Sequence, residues 1–179
     1  GVVAALLVVG GVSLAVVRRH GRALWDDLVS RRGIWLCGEV LFGLALCGFC
    51  LFRAYNPEIA ATEKPMEFGF INATLRSRAF PPNDPWLSGY AISYYYFGYV
   101  LVAMLTRLTG LSSAITFNLA GATLFALTVS GSFSLVYNMA QARLPRSLTF
   151  KALLRPPAVL AGLLGTTLVA LMGNLEGIF

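Results

Sequence analysis

The residues best suited to chemistry are concentrated in one polar stretch, Arg53–Tyr99, which lies between long apolar runs. This stretch holds four of the eight acidic residues, five of the eight prolines and six of the seven tyrosines. In a chain that is 57% hydrophobic and only 12% charged, such a concentration of acidic and aromatic side chains predicts a functional loop against a membrane.

Two acidic residues in the stretch, Glu63 and Glu67, are four positions apart. A helix that includes both would place their carboxylates on one face. Like charges at this spacing disfavour double ionisation, which suits a general base or a cation site. The alternative is that both are ordinary acids at the start of a helix, stabilised by the helix dipole and water. Lys64 between them would pair with either carboxylate or bind a phosphate.

Asp84 lies in the sequence FPPNDPW, where Pro81, Pro82 and Pro85 exclude a regular helix and predict a stiff turn. As a site residue, Asp84 would assist the two glutamates or hold a divalent metal, for which Glu67 is the other candidate. As a structural residue, it would accept hydrogen bonds from nearby backbone N–H groups and stabilise the turn.

Aromatic side chains follow this turn at Trp86 and at the consecutive Tyr94, Tyr95 and Tyr96. Any one of them fits the aromatic belt found where proteins meet the membrane surface. Successive residues on a helix point about 100° apart, so at least one tyrosine of a helical triplet would face the protein interior. Their aromatic faces and hydroxyl groups suit a sugar or a lipid-linked head group.

The composition that surrounds this stretch predicts an all-α, polytopic bundle of transmembrane helices. The mean hydropathy of +0.71 excludes an ordinary soluble domain. About five spans are predicted, at residues 1–17, 33–52, 92–108, 112–140 and 157–172, with an outer loop at 53–91. The sequence begins within one apolar run and ends just after another, so we expect a fragment of a longer membrane protein.

The loop itself is predicted to contain a surface helix from Pro65 to about Arg78. Proline suits a first helical turn, and Glu67 and Arg76 at the two ends complement the helix dipole. An apolar face is predicted from the three- and four-residue spacing of Phe68, Ile71, Leu75 and Ala79.

The net charge of +6 resides mainly in short segments between the apolar runs, which favours membrane topology signals over nucleic-acid binding. The basic segment Arg18–Arg32, with a short interfacial helix at LWDDLV, is expected on the cytoplasmic side of the cell membrane, and loop 53–91 outside. Strict alternation then places Thr109–Ser112 inside and the basic segment Arg143–Arg155 outside. Either one apolar run does not cross fully, or the later segment departs from the charge rule.

Polar residues outside the loop offer a different function. Glu39 within the second span and Arg107 at the end of the third would form a polar path through a transporter or a lipid-scaffolding protein. Transporters place such groups near the membrane midplane, whereas most of the polar groups here lie in the loop. Cys37, Cys47 and Cys50 lie in one apolar run, where we interpret them as small packing residues.

Four stretches carry a resemblance to a known family: RAYNPEI (Arg53–Ile59), TEKPMEFGFINA (Thr62–Ala73), RSRAFPPNDPW (Arg76–Trp86) and SYYYFGY (Ser93–Tyr99). They resemble the tyrosine-triplet (YYY) family of large bacterial and archaeal membrane proteins of unknown function. That family is similar to the GT-C glycosyltransferases, multi-span enzymes that take a sugar from a polyprenyl-phosphate carrier. The chain departs from the GT-C pattern because its loop has no adjacent Asp-Asp or Asp-Glu pair.

The resemblance implies a GT-C-like fold and a glycosyltransferase that acts on a polyprenyl-phosphate sugar in contact with membrane lipid. Glu63 or Glu67 would be the general base, and Asp84 would assist or hold a divalent metal. Lys64 and Arg76 would contact the carrier phosphate, while Trp86 and the tyrosine triplet would pack against the sugar or the polyprenyl chain.

Overall fold

The computed structural model describes residues 2–143 and 156–172. The basic segment after Arg143 and the polar C-terminal stretch with Asn174 and Glu176 lie outside the described residues. Six α-helices are present in the described ranges: α1 (Val2–Ser30), α2 (Arg32–Tyr55), α3 (Lys64–Arg76), α4 (Phe97–Thr109), α5 (Ser113–Ala142) and α6 (Pro156–Thr166), the last followed by a π-helical turn at Thr167–Leu171.

Three of these helices, α1, α2 and α5, are long and apolar enough to cross a membrane, judged by length and composition. The helices α4 and α6 are apolar but shorter. With 13 residues, α4 is about 20 Å long, whereas the hydrocarbon core of a bilayer is about 30 Å thick. The predicted helical class is confirmed in the described residues, and the predicted span boundaries differ from the helices in two places.

The first difference concerns the predicted loop at Arg18–Arg32, which is helical. The helix α1 continues through the arginines to Ser30, and it ends where Ser30 Oγ and the Arg31 N–H both donate to the Asp27 carbonyl at 2.9 Å. Arginine is a strong helix former, so the charges that mark a membrane boundary do not end the helix. The predicted interfacial helix is therefore the last part of α1.

The second difference concerns α4, which begins at Phe97 rather than at Ile92. The Ile92 N–H donates to the Pro82 carbonyl at 2.9 Å, and Asn83 and Ala91 form an isolated antiparallel bridge. These bonds hold the chain extended before the helix starts.

The chain divides into two compact units, and the first comprises Gly1–Leu46 and Phe125–Phe179. Its core contains Phe133, Tyr137 and the fully buried Ala158. Small residues of α6 allow a close approach to α5, since a Cβ added to Gly162 would lie 2.8 Å from the Phe133 ring. Close helix packing through small residues is common in membrane proteins.

The second unit is Cys47–Leu124, which contains the end of α2, all of α3 and α4, and the start of α5. The helix predicted in the loop is present as α3, with Pro65 in its first turn, and its position on the membrane surface stays a prediction. Its predicted apolar face is only partly right, because α3 is covered on more than one side. The buried residues of α3 are Phe70, Ile71, Ala73 and Thr74.

Candidate functional site

The two glutamates lie one turn apart at the start of α3. Glu63 is the N-cap residue, its side chain makes no capping hydrogen bond, and its carbonyl accepts from the Glu67 N–H at 3.0 Å. Glu63 is exposed and Glu67 is half-buried. Glu63 and Glu67 therefore have the one-turn helical spacing that the sequence predicts.

The turn that delivers the chain to Glu63 has an unusual backbone. Ala61 and Thr62 have φ values of 63° and 52°, in the left-handed region that residues with a side chain rarely adopt. Backbone of this kind persists only where surrounding contacts hold it, and it is concentrated at functional sites. The strained backbone therefore lies directly before Glu63.

The acids lie beside an aromatic cluster centred on the buried Phe70, which we call the Phe70 cluster. The Phe70 ring contacts Trp86 edge-on at 5.4 Å, stacks on Tyr94 at 5.6 Å and meets Tyr99 at 5.4 Å between ring centroids. Burial raises the pKa of the Tyr99 phenol, and the neighbouring charges of Glu67, Tyr94 and Glu63 act in the same direction. Two carboxylates and a wall of aromatic side chains therefore share one region.

The tyrosine triplet does not lie on a helix, contrary to the prediction, because α4 starts after it. Its members nevertheless have different environments: Tyr96 packs against the core beside Phe70, and Tyr94 stacks on that ring. Tyr95 is 87% exposed and touches only the edge of the cluster through Tyr94, at 5.3 Å between centroids. Tyr95, the 60% exposed Trp86 and the 43% exposed Tyr94 are the aromatic side chains of this cluster that a ligand could reach.

Asp84 is a turn-forming residue in this structure. Its Oδ1 accepts hydrogen bonds from the backbone N–H groups of Trp86 at 2.8 Å and Leu87 at 2.9 Å. Its own N–H donates to the Tyr90 carbonyl at 2.9 Å. The carboxylate thus fixes the loop that presents Trp86, which is the structural alternative that the sequence left open.

The two candidate metal ligands, Glu67 and Asp84, come from α3 and from the proline-rich turn within the described ranges. Nowhere in them do three His, Cys, Asp or Glu side chains come close enough to share an ion. Asp84 does not join Glu63 and Glu67 in a group of that size. The metal role of Glu67 or Asp84 stays a prediction.

The two expected phosphate ligands, Lys64 and Arg76, are at opposite ends of α3. Twelve residues at 1.5 Å per residue separate them by about 18 Å along the helix axis. A single phosphate is too small to bridge that axial separation by itself, and the phosphate contacts predicted for the two residues stay predictions. Lys64 remains beside the two glutamates, whereas Arg76 is exposed in the last turn.

Polar contacts fix α3 to the α4–α5 hairpin. Ser113 Oγ of α5 donates to Asn72 Oδ1 of α3 at 2.8 Å. Within the hairpin, the hydroxyls of Thr106 in α4 and Thr116 in α5 are 2.7 Å apart in a buried contact. Arg107 donates to the carbonyl of Leu75 in the last turn of α3. Arg107 thus caps a helix end, which differs from the polar path predicted for it with Glu39, an exposed residue of α2.

A second set of bonds joins the end of α2 to the start of α5. Arg53 Nε donates to Asn118 Oδ1 at 2.7 Å, and Asn118 Nδ2 donates to the Pro57 carbonyl at 3.2 Å. Residues 65 positions apart in the sequence therefore lie side by side. The end of α2 and the start of α5 are therefore neighbours, and the segment between them begins and ends at adjacent positions.

Several residues of this region escaped the sequence analysis. Gly69 is one, because a Cβ there would lie 2.6 Å from Trp86 Cη2. A glycine in the middle of an otherwise favourable helix was the available signal for a close approach. Asn118 is another, and its signal was an amide within a long apolar run. Phe70 gave no such signal in the sequence, because the aromatic residues that it contacts are distant along the chain.

Comparison with known proteins identifies the family to which the chain belongs. A family model described as "Uncharacterized membrane protein (DUF2298)" matches residues 1–179. No curated protein and no solved structure matches the chain.

Proposed function

The chain belongs to the DUF2298 family of uncharacterized membrane proteins, and we propose that it carries the loop site of a membrane enzyme that transfers a sugar from a polyprenyl-phosphate carrier. The observation that supports this proposal is the placement of Glu63 and Glu67 one turn apart beside the Phe70 cluster. Acids next to open aromatic faces are the combination that binds a sugar and activates a hydroxyl group.

In the proposed reaction, Glu67 is the general base. Its carboxylate accepts the proton of the acceptor hydroxyl as that oxygen bonds to the anomeric carbon of the sugar. The bond from the anomeric carbon to the phosphate oxygen breaks, and the polyprenyl phosphate leaves with the bonding electron pair. Glu67 is preferred over Glu63 because Glu67 is half-buried, whereas Glu63 is exposed.

The remaining residues of the site bind or position. Trp86 and Tyr95 offer exposed aromatic faces for the sugar or the first isoprene units. Lys64, at the same end of α3 as the acids, would bind the carrier phosphate. Asp84 would act indirectly, by holding the turn that presents Trp86.

The test uses the intact protein in proteoliposomes with a radiolabelled polyprenyl-phosphate hexose, and it measures label lost from the lipid phase. We expect E67Q to reduce the rate by about 10²- to 10⁴-fold, the range for removal of a general base. E63Q should have a smaller effect. The matched control is E58Q, an exposed acid of the same loop. Full activity of both E63Q and E67Q would rule out this mechanism.

We further propose that α4 does not cross the membrane. The support is its length of about 20 Å and the bonds between the two ends of the segment that contains it. With α4 on one face, α5 returns the chain to the side of Arg18–Arg32. The basic residues that follow α5 in the sequence then also lie on that side, in agreement with the positive-inside rule.

Single cysteines introduced into a cysteine-free variant of the intact protein test this topology with a membrane-impermeant thiol reagent. N56C and S112C should be labelled from the same face, and R146C from the opposite face. The five-span alternation predicts that positions 56 and 112 are labelled from opposite faces, and that result would contradict the proposal.

A further inference from the structure

The guanidinium of Arg53 is held by neutral acceptors alone. Its Nε and Nη2 donate to Asn118 Oδ1, and Nη2 also donates to the Glu58 carbonyl at 3.1 Å. Asn118 is in turn fixed by its bonds to the carbonyls of Pro57 and Ala114, at 3.2 and 3.1 Å. The charged group is therefore held in position without a compensating negative charge from these partners.

Counterions from elsewhere in the described residues are also absent. The ion pair found in the described ranges joins Arg31 and Asp27, and no carboxylate of those ranges lies within 4.0 Å of Arg53. Nη1 has no hydrogen-bond partner in the same part of the chain. A half-buried guanidinium with an unused nitrogen is suited to an external anion.

The space beside Arg53 is apolar. Arg53 and Asn118 are the polar members of a depression that is otherwise walled by Cys50, Ala54, Pro57, Ile115 and Leu119. Its volume of about 190 Å³ is below the roughly 300–1,000 Å³ of pockets that enclose a whole drug-sized ligand. Because its lining is almost wholly apolar, it suits part of a lipid chain, and a phosphate bound to Arg53 would lie at its rim.

The depression lies at the end of α2, one of the helices long and apolar enough to cross a membrane. Anions at that level of a membrane are chiefly lipid phosphates, and the planar guanidinium is well matched to phosphate oxygens. We propose that Arg53 binds the phosphate of an anionic membrane lipid and that the apolar depression beside it takes part of a chain of the same lipid. The proposal does not rest on glycosyl transfer, because none of the acids or aromatic residues of that site takes part.

The experiment measures lipid binding to the full chain, purified in a neutral detergent, by native mass spectrometry with phosphatidylglycerol and phosphatidylcholine in parallel. The wild type should bind phosphatidylglycerol about tenfold more tightly than phosphatidylcholine, because both lipids offer a phosphate but the choline cation of phosphatidylcholine is repelled by Arg53. R53Q should lose this preference. R78Q, which removes an exposed arginine of the same loop, should retain it.

A second variant guards against misfolding of R53Q, since Arg53 also joins two helices. A54E introduces a carboxylate on the exposed wall beside Arg53 and leaves the Asn118 bonds in place. It should also abolish the preference for phosphatidylglycerol. A third arm adds inorganic phosphate at the concentration of the lipid, which should not compete.

Three results would overturn the proposal. The first is equal binding of the two lipids by the wild type. The second is an undiminished preference in A54E, or in folded R53Q, or an equal loss in R78Q. The third is full competition by inorganic phosphate, which would assign the site to a soluble anion.

Discussion

Replacement of Gly69 by alanine probes the contact between α3 and the indole of Trp86. The new Cβ would lie 2.6 Å from Cη2 and 3.2 Å from both Cζ2 and Cζ3 of that ring. Nonbonded carbon atoms prefer separations of about 3.5–4.0 Å, so the ring must move by about 1 Å. The movement would disturb the edge-on contact with Phe70 and the face that Trp86 presents to a ligand.

The magnitude follows from two opposing effects on the free energy of unfolding. Overpacking costs about 1–3 kcal/mol, and the indole is 60% exposed, so it can move outward and keep the cost in the lower part of that range. Alanine is intrinsically favoured over glycine in a helix by about 0.5–1 kcal/mol. We expect G69A to lower stability by about 1 kcal/mol as the net result.

The assay is equilibrium unfolding of the purified protein in detergent, with two comparisons. G131A is the matched control, because a Cβ at that helical position meets nothing within 4 Å, and it should raise stability by about 0.5 kcal/mol. The decisive comparison is G69A in a W86A background, where the obstacle is gone and alanine should become stabilising. If G69A remains equally destabilising there, the steric reasoning is refuted.

Three further predictions concern helix packing, each measured by the same unfolding assay or by hydrogen exchange. G162A should cost more than G69A, about 2 kcal/mol, because the obstructing Phe133 ring is only 1% exposed and cannot move to solvent; a smaller loss would contradict this. T106V should cost about 0.5–1.5 kcal/mol, the net value of one hydrogen bond, because the Thr116 hydroxyl keeps the Ser112 and Ser113 carbonyls as acceptors, and recovery of that loss in T106V/T116V would contradict this. R107Q should speed amide exchange in the last turn of α3 without changing the first turn, and uniform acceleration along the helix would disprove local capping.

The sequence predicted those elements whose signals are local. The helix α3 was predicted within two residues at each end, since Pro65 and Arg76 mark its limits by themselves. Charge patterns were misleading for α1, because arginines report where a helix leaves the membrane and not where it ends. The start of α4 at Phe97 could not be read from hydropathy, because the bond from Ile92 to Pro82 decides it.

The candidate site was predicted by residue type more than by geometry. The pairing of Glu63 with Glu67 followed from their spacing, and the turn role of Asp84 was among the alternatives that the prolines suggested. The aromatic partner Phe70 and the bond between Arg53 and Asn118 depend on contacts across long stretches of chain. Such contacts are properties of the tertiary fold, and no pattern within one sequence encodes them directly.

The bond between Arg53 and Asn118 has a consequence for how the second unit folds. Closing a loop of 65 residues costs about 4 kcal/mol of chain entropy on the logarithmic scaling of closure with length. Hydrogen bonds to a charged group contribute about 1.5–3 kcal/mol, which is too little to close the loop alone. The closure therefore depends on the simultaneous packing of α3 and α4 against α5. The unit should fold and unfold as one cooperative block, and the Arg53 bond should break in the same step that exposes Phe70.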